Sequence, residues 1–462
     1  MTDRDTRADR IEYGEAARRR TPLAALAEHD SVHGRDPVEL LEIQAAIRVP
    51  DLVPVRYGRM AVSAFTFFRG AASVMADDLS RTPTSGVHTQ LCGDAHLSNF
   101  GLFATPERAL AFDLNDFDET YPGPFEWDVK RLITSLVVAG RVNGFGRKQR
   151  QRIARACATE YRETMAFQAE SSELAVWYSH IDAEKEVTEL HSVLDSSMRK
   201  RIRKTLDKSR SRDSVSALSK LTTRVDGIPR IVSMPPLIVP IDELLSAHDA
   251  EAVTREMIGR LREYGQTLPP HYRILLERFE FLQMARKVVG VGSVGTRAWV
   301  LLLRGLGDDP LFLQAKEAQP SVLAAYVDGP SFVNQGERVV AGQKLMQATG
   351  DILLGWQQGP GIDGVQRDFY IRQLRDGKGS AVIETMTPEL MSLYGRLCAR
   401  VLAHAHARAG DRFSIAGYLG SDEDFDDALT RFGESYADQN ERDHAALCQA
   451  IENGRITAHT GI

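Results

Sequence analysis

Hydrophobic positions recur at helical spacing through most of the chain. In residues 126–141 the apolar residues fall three and four positions apart, so they share one face and predict a buried helix. The same spacing predicts further helices at residues 37–48, about 63–79, 146–170, 251–284, 335–348, 388–409 and near 424–451.

Short runs of β-branched and large apolar residues, bounded by turn-forming residues, interrupt these helices and predict strands. A hairpin is expected over residues 222–241. Further strands are expected at residues 109–112, 299–303, 311–316, 352–356 and 368–374. The mixture predicts an α+β fold.

Composition narrows the class of protein. Hydrophobic residues make up 43% and charged residues 26% of the 462 residues, as in ordinary globular proteins. The net charge of −6 does not favour nucleic acid or an anionic membrane as a partner. The four cysteines form no Cys-x-x-Cys pair, which is typical of free thiols in a reducing compartment. No apolar run reaches the length of a membrane span and the N-terminus lacks an apolar signal core, so a cytoplasmic location is expected.

Two segments carry many charges. Residues 1–35 are rich in Arg and Asp, which predicts a mobile N-terminal arm. Residues 198–212 are strongly basic and predict either a solvated helix end or an edge that attracts an acidic substrate.

Residues 91–118 concentrate polar side chains among apolar ones. Asp94 and Asn99 are five positions apart with His96 between them, and a strand then leads to Asp116–Asp118. An Asn and an Asp placed in this way can hold a divalent cation and leave Asp94 as a base. Turn and cap roles, in which Asp and Asn are common, are the alternative for these residues.

This stretch resembles the catalytic region of aminoglycoside and choline kinases. Gly93–Asn99 is similar to their loop, roughly His-Gly-Asp-x-His-x-x-Asn, although Cys92 stands where the family has His. Asp116–Asp118 resembles the metal-binding Asp-Phe-Gly element, and Trp127-Asp128 resembles the helix start whose Asp anchors the loop. The whole chain also resembles a family of uncharacterised bacterial proteins with a domain of unknown function.

The kinase resemblance implies roles for individual residues. Asp94 would accept the proton of an acceptor hydroxyl, while Asn99 and Asp116 would hold Mg²⁺. Asp118 or Asp113 would complete the metal shell. His96 is expected to orient the loop by bonding a backbone carbonyl, with a direct chemical role as the alternative, and Asp128 is expected to accept N–H bonds from the loop.

A second motif lies nearly 200 residues later. Gly290, Gly292 and Gly295 form a Gly-x-Gly-x-x-Gly pattern. A dinucleotide-binding fold requires a helix after these glycines, but a β-rich run follows, and the next strand ends in Lys316. This arrangement resembles the ATP-covering loop and third strand of a kinase, in which Lys316 would pair with the α- and β-phosphates.

The segments that follow continue this resemblance. Glu337, on the next predicted helix, is the expected partner of Lys316. Gln373, Leu374 and Arg375 would form the hinge that binds adenine through its backbone.

The kinase-like elements occur in reversed order, because the loop with Asp94 and Asn99 comes first and the Gly-rich loop with Lys316 comes nearly 200 residues later. The helix at residues 388–409 resembles the one that precedes a kinase catalytic loop, but no such loop follows it. We therefore predict a circularly permuted, two-lobed, protein-kinase-like fold; two separate domains are the alternative. If the permutation is correct, Lys316 and Asp116 should face one cleft. The expected parts are the arm (1–35), a catalytic and metal-binding helical lobe with a large insertion (36–284), a nucleotide-binding β lobe (285–380) and C-terminal helices that complete the helical lobe (381–462).

The expected activity is ATP- and Mg²⁺-dependent phosphoryl transfer. Only 11 residues separate Asp116 from Asp128, whereas protein kinases use a longer segment to dock a peptide, so a small-molecule hydroxyl acceptor is favoured. Nucleotidyl transfer (AMPylation) to a protein, a non-catalytic nucleotide-binding role and a dinucleotide enzyme are the alternatives. Arg56, Arg59 and Arg69 either bind phosphate or form salt bridges with nearby carboxylates.

Overall fold

The computed structural model describes residues 6–29, 34–189, 196–212, 214–288, 290–361, 363–374 and 377–461. Its helices are α1 (Arg7–Arg20), α2 (Pro37–Ala45), α3 (Val53–Met60), α4 (Ala64–Gly70), α5 (Ala72–Leu79), α6 (Glu126–Val142), α7 (Arg147–Glu170), α8 (Glu173–Tyr178), α9 (Ala183–Glu189), α10 (Ser196–Arg210), α11 (Ser214–Leu221), α12 (Ile241–Leu244), α13 (Ala247–Gln266), α14 (Pro270–Leu276), α15 (Gln335–Met346), α16 (Pro388–Ala409), α17 (Arg412–Leu419) and α18 (Asp424–Glu452). Its strands are β1 (His88–Leu91), β2 (Phe100–Ala104), β3 (Leu110–Leu114), β4 (Tyr121–Pro124), β5 (Ile181–Asp182), β6 (Thr222–Val225), β7 (Ile228–Ile231), β8 (Ile238–Pro240), β9 (Glu280–Lys287), β10 (Ala298–Arg304), β11 (Pro310–Ala318), β12 (Gly355–Pro360) and β13 (Gln366–Gln373).

Six strands form an antiparallel sheet in the order β12-β13-β11-β10-β9-β8. β9, β10 and β11 are consecutive in the chain and adjacent in the sheet, and α15 follows them and packs against β12 and β13. Directly opposed residues point to the same face of a sheet. The pairing of Lys316 with Ala298 on β10 and with Tyr370 on β13 therefore puts these three side chains on one face.

The long helices α6, α7, α16 and α18 pack around the main hydrophobic core. α6 is buried along nearly its whole length, as the apolar pattern of residues 126–141 predicts. The two short sheets, β1–β4 and β2–β3–β5, lie against α16. The chain between β1 and β2 lies beside α6, because the Leu97 N–H donates to Ser135 Oγ on that helix. Helices and sheets are segregated in this way, so the predicted α+β class is confirmed. Within the described residues, no helix is long and apolar enough to cross a bilayer.

Several predicted elements differ in the structure. The helix expected over residues 251–284 ends at Gln266, because Pro269 and Pro270 stop it, and residues 280–287 form strand β9 instead. The helix expected over residues 63–79 is divided at Ala71, whose φ and ψ angles of −110° and 36° are not helical. The sheet also takes in β8, so it begins before the predicted boundary at residue 285.

Residues 6–29 are packed against the rest of the protein, whereas the charge pattern of residues 1–35 predicted a mobile arm. α1 begins with a capping box in which Thr6 and Asp9 bond each other's backbone N–H groups, and it packs along α17. Gly14 and Ala17 are buried in this contact. A Cβ at Gly14 would clash with the carbonyl oxygen of Ser414, so the two helices approach closely because Gly14 has no side chain.

The substitution Gly14→Ala tests this packing. Ala favours a free helix by about 1 kcal/mol over Gly, so a mobile arm would tolerate it or gain helicity. In the packed structure it should lower the free energy of unfolding by about 1–3 kcal/mol, measured by urea denaturation, because the new Cβ forces α1 from α17. Glu12→Ala, at an exposed position of the same helix, is the matched control. Equal stability of the Gly14→Ala and Glu12→Ala proteins would contradict the packing.

Candidate functional site

A lysine from the sheet and two aspartates from the helical part meet in one cleft. Lys316 Nζ lies 2.5 Å from Asp118 Oδ2 and 3.7 Å from Asp116 Oδ1. Tyr370 donates its hydroxyl to Asp118 Oδ1 at 2.6 Å. Burial opposes the charge of Lys316, but the two carboxylates outweigh it and raise the pKa of this lysine. The expected proximity of Lys316 and Asp116 is confirmed.

The three glycines lie on the turn that joins β9 to β10. Gly290 and Gly295 have positive φ angles of 65° and 90°, which glycine adopts without strain. The turn is held from outside by the N-terminal helices: Arg59 Nη1 donates to the Gly290 carbonyl at 2.6 Å, and Arg48 Nη1 donates to the Val294 carbonyl at 2.5 Å. A strand follows the glycines, so this turn lacks the helix that a dinucleotide-binding fold places there.

The cleft below this turn has a volume of about 100 Å³. The predicted site residues that line it are Asp94, His96, Asn99, Asp116, Asp118, Gly290 and Gly292. The two motifs are therefore adjacent in space although they are far apart in sequence.

Asp94 lies on the turn after β1 and is paired with Arg131 from α6. Its Oδ1 accepts from Nε of Arg131 at 2.8 Å and lies 2.8 Å from Nη2 of the same guanidinium. Burial raises the pKa of Asp94 to about 6, although the guanidinium opposes this shift. His96 Nε2 lies 3.6 Å from Asp94 Oδ2, and His96 Nδ1 accepts from the Ser98 N–H at 3.2 Å. The histidine thus bonds a backbone N–H of the loop, not the carbonyl that we expected.

Asp128 anchors the same loop, as predicted. The carboxylate is buried at the start of α6 and accepts the N–H groups of Cys92 at 2.8 Å and Gly93 at 3.0 Å. His406 Nε2 lies 3.2 Å from Asp128 Oδ2 and supports the carboxylate from α16. The backbone at Cys92 is thus held by an acceptor that does not depend on the Cys92 side chain.

Asn99 and Asp116 have the oxygen atoms that a divalent cation needs. Asn99 Nδ2 donates to the Asp94 carbonyl at 2.8 Å, so Oδ1 is the atom that Asn99 can offer to a cation. Asp118 lies beside them, but its two carboxylate oxygens already accept hydrogen bonds from Lys316 and Tyr370. Within the described residues, no group of three or more His, Cys, Asp or Glu side chains is arranged to hold a metal. Mg²⁺ commonly uses one or two protein oxygens together with substrate phosphates, so Asn99 and Asp116 fit it.

Asp113, the alternative ligand, is not among the residues that line the cleft. It lies within β3, where Oδ1 accepts from the Leu114 N–H at 2.8 Å. Burial raises the pKa of Asp113 to about 7, and this hydrogen bond and the charge of Arg408 only partly offset the shift. The structure does not support Asp113 as a metal ligand.

Glu337 is not the partner of Lys316. Its side chain is exposed in the first turn of α15, where its N–H is capped by Asn334. The neighbouring residue, Arg338, points inward and donates to the carbonyls of Asp118 and Thr120 at 2.8 and 2.6 Å. Helix α15 therefore supports the turn at residues 116–120, the aspartate turn, through Arg338. The carboxylates that contact Lys316, those of Asp116 and Asp118, belong to the same turn.

Gln373 and Leu374 border a second cavity of about 360 Å³. The backbone N–H of Gln373 donates to Asp351, and that of Leu374 donates to the Phe312 carbonyl at 2.9 Å. These N–H groups are therefore not available to an adenine ring as we expected; Arg375 lies outside the described residues. The cavity is also rich in side-chain amides: Asn115, Gln314, Gln343 and Gln347.

The sequence reasoning missed three residues of the site: Arg131, Arg338 and Tyr370. Arg131 follows Asp128 by three positions and so lies near it on α6, a spacing that could have signalled a second polar contact. Tyr370 and Arg338 had no local signal, because their roles follow from strand register and helix packing.

A family model described as "Uncharacterized protein conserved in bacteria (DUF2252)" matches residues 48–450. No curated protein and no solved structure matches the chain. These comparisons confirm the expected resemblance to an uncharacterised bacterial family, and they do not link the chain to kinases.

Asp128→Ala tests the anchoring of the Asp94 loop. The substitution leaves two buried N–H groups without an acceptor, so it should lower the free energy of unfolding by about 2–4 kcal/mol in urea denaturation. Asp422→Ala, at an exposed position just before α18, should change it by less than about 0.5 kcal/mol. A similar stability for both variants would rule out the anchoring role.

A double-mutant cycle tests the contact between Lys316 and Asp118. Lys316→Met leaves buried carboxylates without a cation and should cost about 3–5 kcal/mol of unfolding free energy. Adding Asp118→Asn should recover part of that loss, with a coupling of about 1–3 kcal/mol in urea denaturation. Strictly additive effects would mean that the two side chains do not interact in the folded protein.

Proposed function

The chain belongs to this family of uncharacterised bacterial proteins, and we propose that it is an ATP- and Mg²⁺-dependent phosphotransferase with a circularly permuted kinase-like fold. The observation that carries the proposal is the meeting of Lys316 with Asp116 beneath a glycine turn. Phosphoryl transfer requires phosphates to be held, charge to be neutralised and an acceptor hydroxyl to be aligned. Asp94 and Asn99 in the same cleft complete the set of groups that this chemistry uses.

The order of elements in the sheet supports the proposal. A glycine turn between β9 and β10, a lysine on β11 and then α15 follow the order of the Gly-rich loop, lysine strand and helix in protein kinases. The loop with Asp94 and Asn99 and the turn with Asp116 also keep their kinase order, but both precede the sheet in the chain. A circular permutation accounts for this reversal without any change in the spatial arrangement.

The two cavities are placed to share a nucleotide. Gln314 and Arg372 border the amide-rich cavity, and they lie two positions before Lys316 and two after Tyr370, on the same face of the sheet. A cavity of about 360 Å³ is within the range of ligand sites, and amide side chains are suited to the polar edge of a base. The base would lie there, with the phosphates directed along Lys316 to the glycine turn.

The chain's own residues perform the transfer step in this proposal. Asp94 accepts the proton of the acceptor hydroxyl. At the same time the hydroxyl oxygen forms a bond to the γ-phosphorus, and the bond between the γ-phosphorus and the departing ADP breaks. Arg131 holds the carboxylate in position, and His96 Nε2 lies 3.6 Å from it. Lys316 exchanges part of its contact with Asp118 for phosphate oxygens. Mg²⁺, held by Asn99 and Asp116, would neutralise phosphate charge.

A small-molecule hydroxyl compound is the acceptor that the site favours. The link from Asp116 to Asp128 is short and largely buried, and it includes strand β4, which pairs with β1. Tyr121 in this link packs against Phe332 and donates to the Pro330 carbonyl. The link therefore has no extended segment on which a peptide could dock.

Binding of ATP and Mg²⁺ is tested by thermal shift and by turnover. ATP with Mg²⁺ should raise the melting temperature, because a ligand that binds only the folded state stabilises it, and EDTA should reduce the rise. NAD should have no effect. Asp116→Asn should abolish the Mg²⁺-dependent part of the shift and lower turnover at least about 100-fold, whereas Asp422→Asn should behave as wild type. Unchanged binding and turnover in Asp116→Asn would show that the metal assignment is wrong.

The label that is transferred defines the reaction. With [γ-³²P]ATP the label should leave the nucleotide, and with [α-³²P]ATP it should remain in ADP. Transfer of the α-label to protein would instead identify nucleotidyl transfer on the same fold. If neither binding nor turnover of ATP is detected, the proposed function fails.

A further inference from the structure

Three arginines from the N-terminal helices lie on one side of the cleft. Arg48 follows α2, Arg56 lies on α3 and Arg69 lies on α4. Arg48 and Arg69 line the cleft together with Asp94 and His96. Arg56 lies behind them and is fully buried, and its Nη2 donates to the Gly70 carbonyl at 2.9 Å.

These arginines lack carboxylate partners. Among the described residues, no Asp or Glu oxygen lies within ion-pair distance of Arg48, Arg56 or Arg69. Arg48 is only 6% exposed, and its Nε has no hydrogen-bond partner. The Nε atoms of Arg56 and Arg69 are also buried without a partner, as is Nη1 of Arg56. The salt-bridge alternative for Arg56 and Arg69 is therefore not what the structure shows.

The carboxylates of the cleft are engaged elsewhere. Asp94 is paired with Arg131, and Asp118 is paired with Lys316. Glu119 accepts the N–H of Val322 at 2.7 Å. Burial lowers the pKa of Arg48 to about 10, which still leaves it charged at neutral pH. This side of the cleft therefore has guanidinium donors without a carboxylate partner.

Arg69 lies near both the glycine turn and the proposed base, Asp94. Its backbone carbonyl lies against the glycine turn, where a Cβ at Gly292 would stand 3.1 Å away. Its charge also acts on both Asp94 and His96. Lys316 contacts the aspartate pair from strand β11 of the sheet. Arg48 and Arg69 thus line the cleft beside the proposed base, whereas Lys316 enters from the sheet.

We propose that Arg48 and Arg69, supported by Arg56, bind a phosphate group that the acceptor already carries. The substrate class would then be a small phosphorylated compound with a free hydroxyl. This inference rests on the proposed function. Guanidinium groups bind phosphate through paired N–H donors, and two of them line the cleft beside Asp94.

Orthophosphate titrations of the full-length protein test the site. Orthophosphate should bind the wild type in calorimetry, and Arg69→Gln should weaken its affinity at least about tenfold, because charge-assisted donors are lost. Arg152→Gln, at an exposed position on α7, is the control and should keep wild-type affinity. Arg69→Lys keeps the charge but loses the planar guanidinium, so its affinity for orthophosphate should lie between those of the wild type and Arg69→Gln. Arg69→Lys also serves as the test variant if Arg69→Gln does not fold. Equal affinity in all variants would overturn the site.

A second titration separates the two sources of phosphate. Orthophosphate should still bind when the protein is saturated with a non-hydrolysable ATP analogue and Mg²⁺. Mutual exclusion would overturn the acceptor assignment, because the arginines would then hold the nucleotide's own terminal phosphate. If the analogue does not bind at all, the proposed function and the acceptor assignment fail together. The orthophosphate titration without nucleotide decides separately whether the arginines bind an anion.

Discussion

The contact of Lys316 with Asp118 and Asp116 is the interaction on which the candidate site depends. It joins a strand of the sheet to a turn of the helical part, and all three side chains are largely removed from water. A buried charge without its partner is costly, so each member requires the others to be in place. Arg338 bonds the carbonyls of the same turn from α15, and Tyr370 bonds the Asp118 carboxylate. The relative placement of sheet and helices is fixed at this point.

The glycine turn depends on a different support. Glycine-rich backbone loses much conformational freedom when it is ordered, so it needs contacts that hold it. Here the N-terminal helices supply them through Arg48 and Arg59, which donate to carbonyls of the turn. Because these donors come from outside the sheet, the end of the cleft beside the glycine turn is shaped before any ligand enters. Preorganisation of this kind lowers the entropic cost of binding.

Short-range motifs allowed much of the site to be predicted from the sequence. Asp94 and Asn99 are five positions apart, Asp116 follows one short strand later, and Lys316 lies on a recognisable strand, so residue type, spacing and the kinase resemblance were sufficient. The Glu337 prediction was wrong because it required the rotation of α15 relative to the sheet, which no local pattern encodes. The places of Arg131 and Tyr370 in the site could not be predicted either, because they depend on helix packing and strand register. At the level of fold, the prediction of helix for residues 280–284, the first part of β9, was wrong because this short segment follows a helical one and has no clear period of its own.

The long separation between Lys316 and Asp118 has a consequence for synthesis. The two residues are 198 positions apart, and closing a loop of that length costs roughly 5 kcal/mol of chain entropy. At about 5–20 residues per second, a ribosome exposes the aspartate turn on the order of 10–40 s before the lysine is made. During that interval the carboxylates of Asp116 and Asp118 in the nascent chain lack their cationic partner, Lys316. Cotranslational folding of the N-terminal half alone is therefore expected to leave this region open until the sheet has emerged.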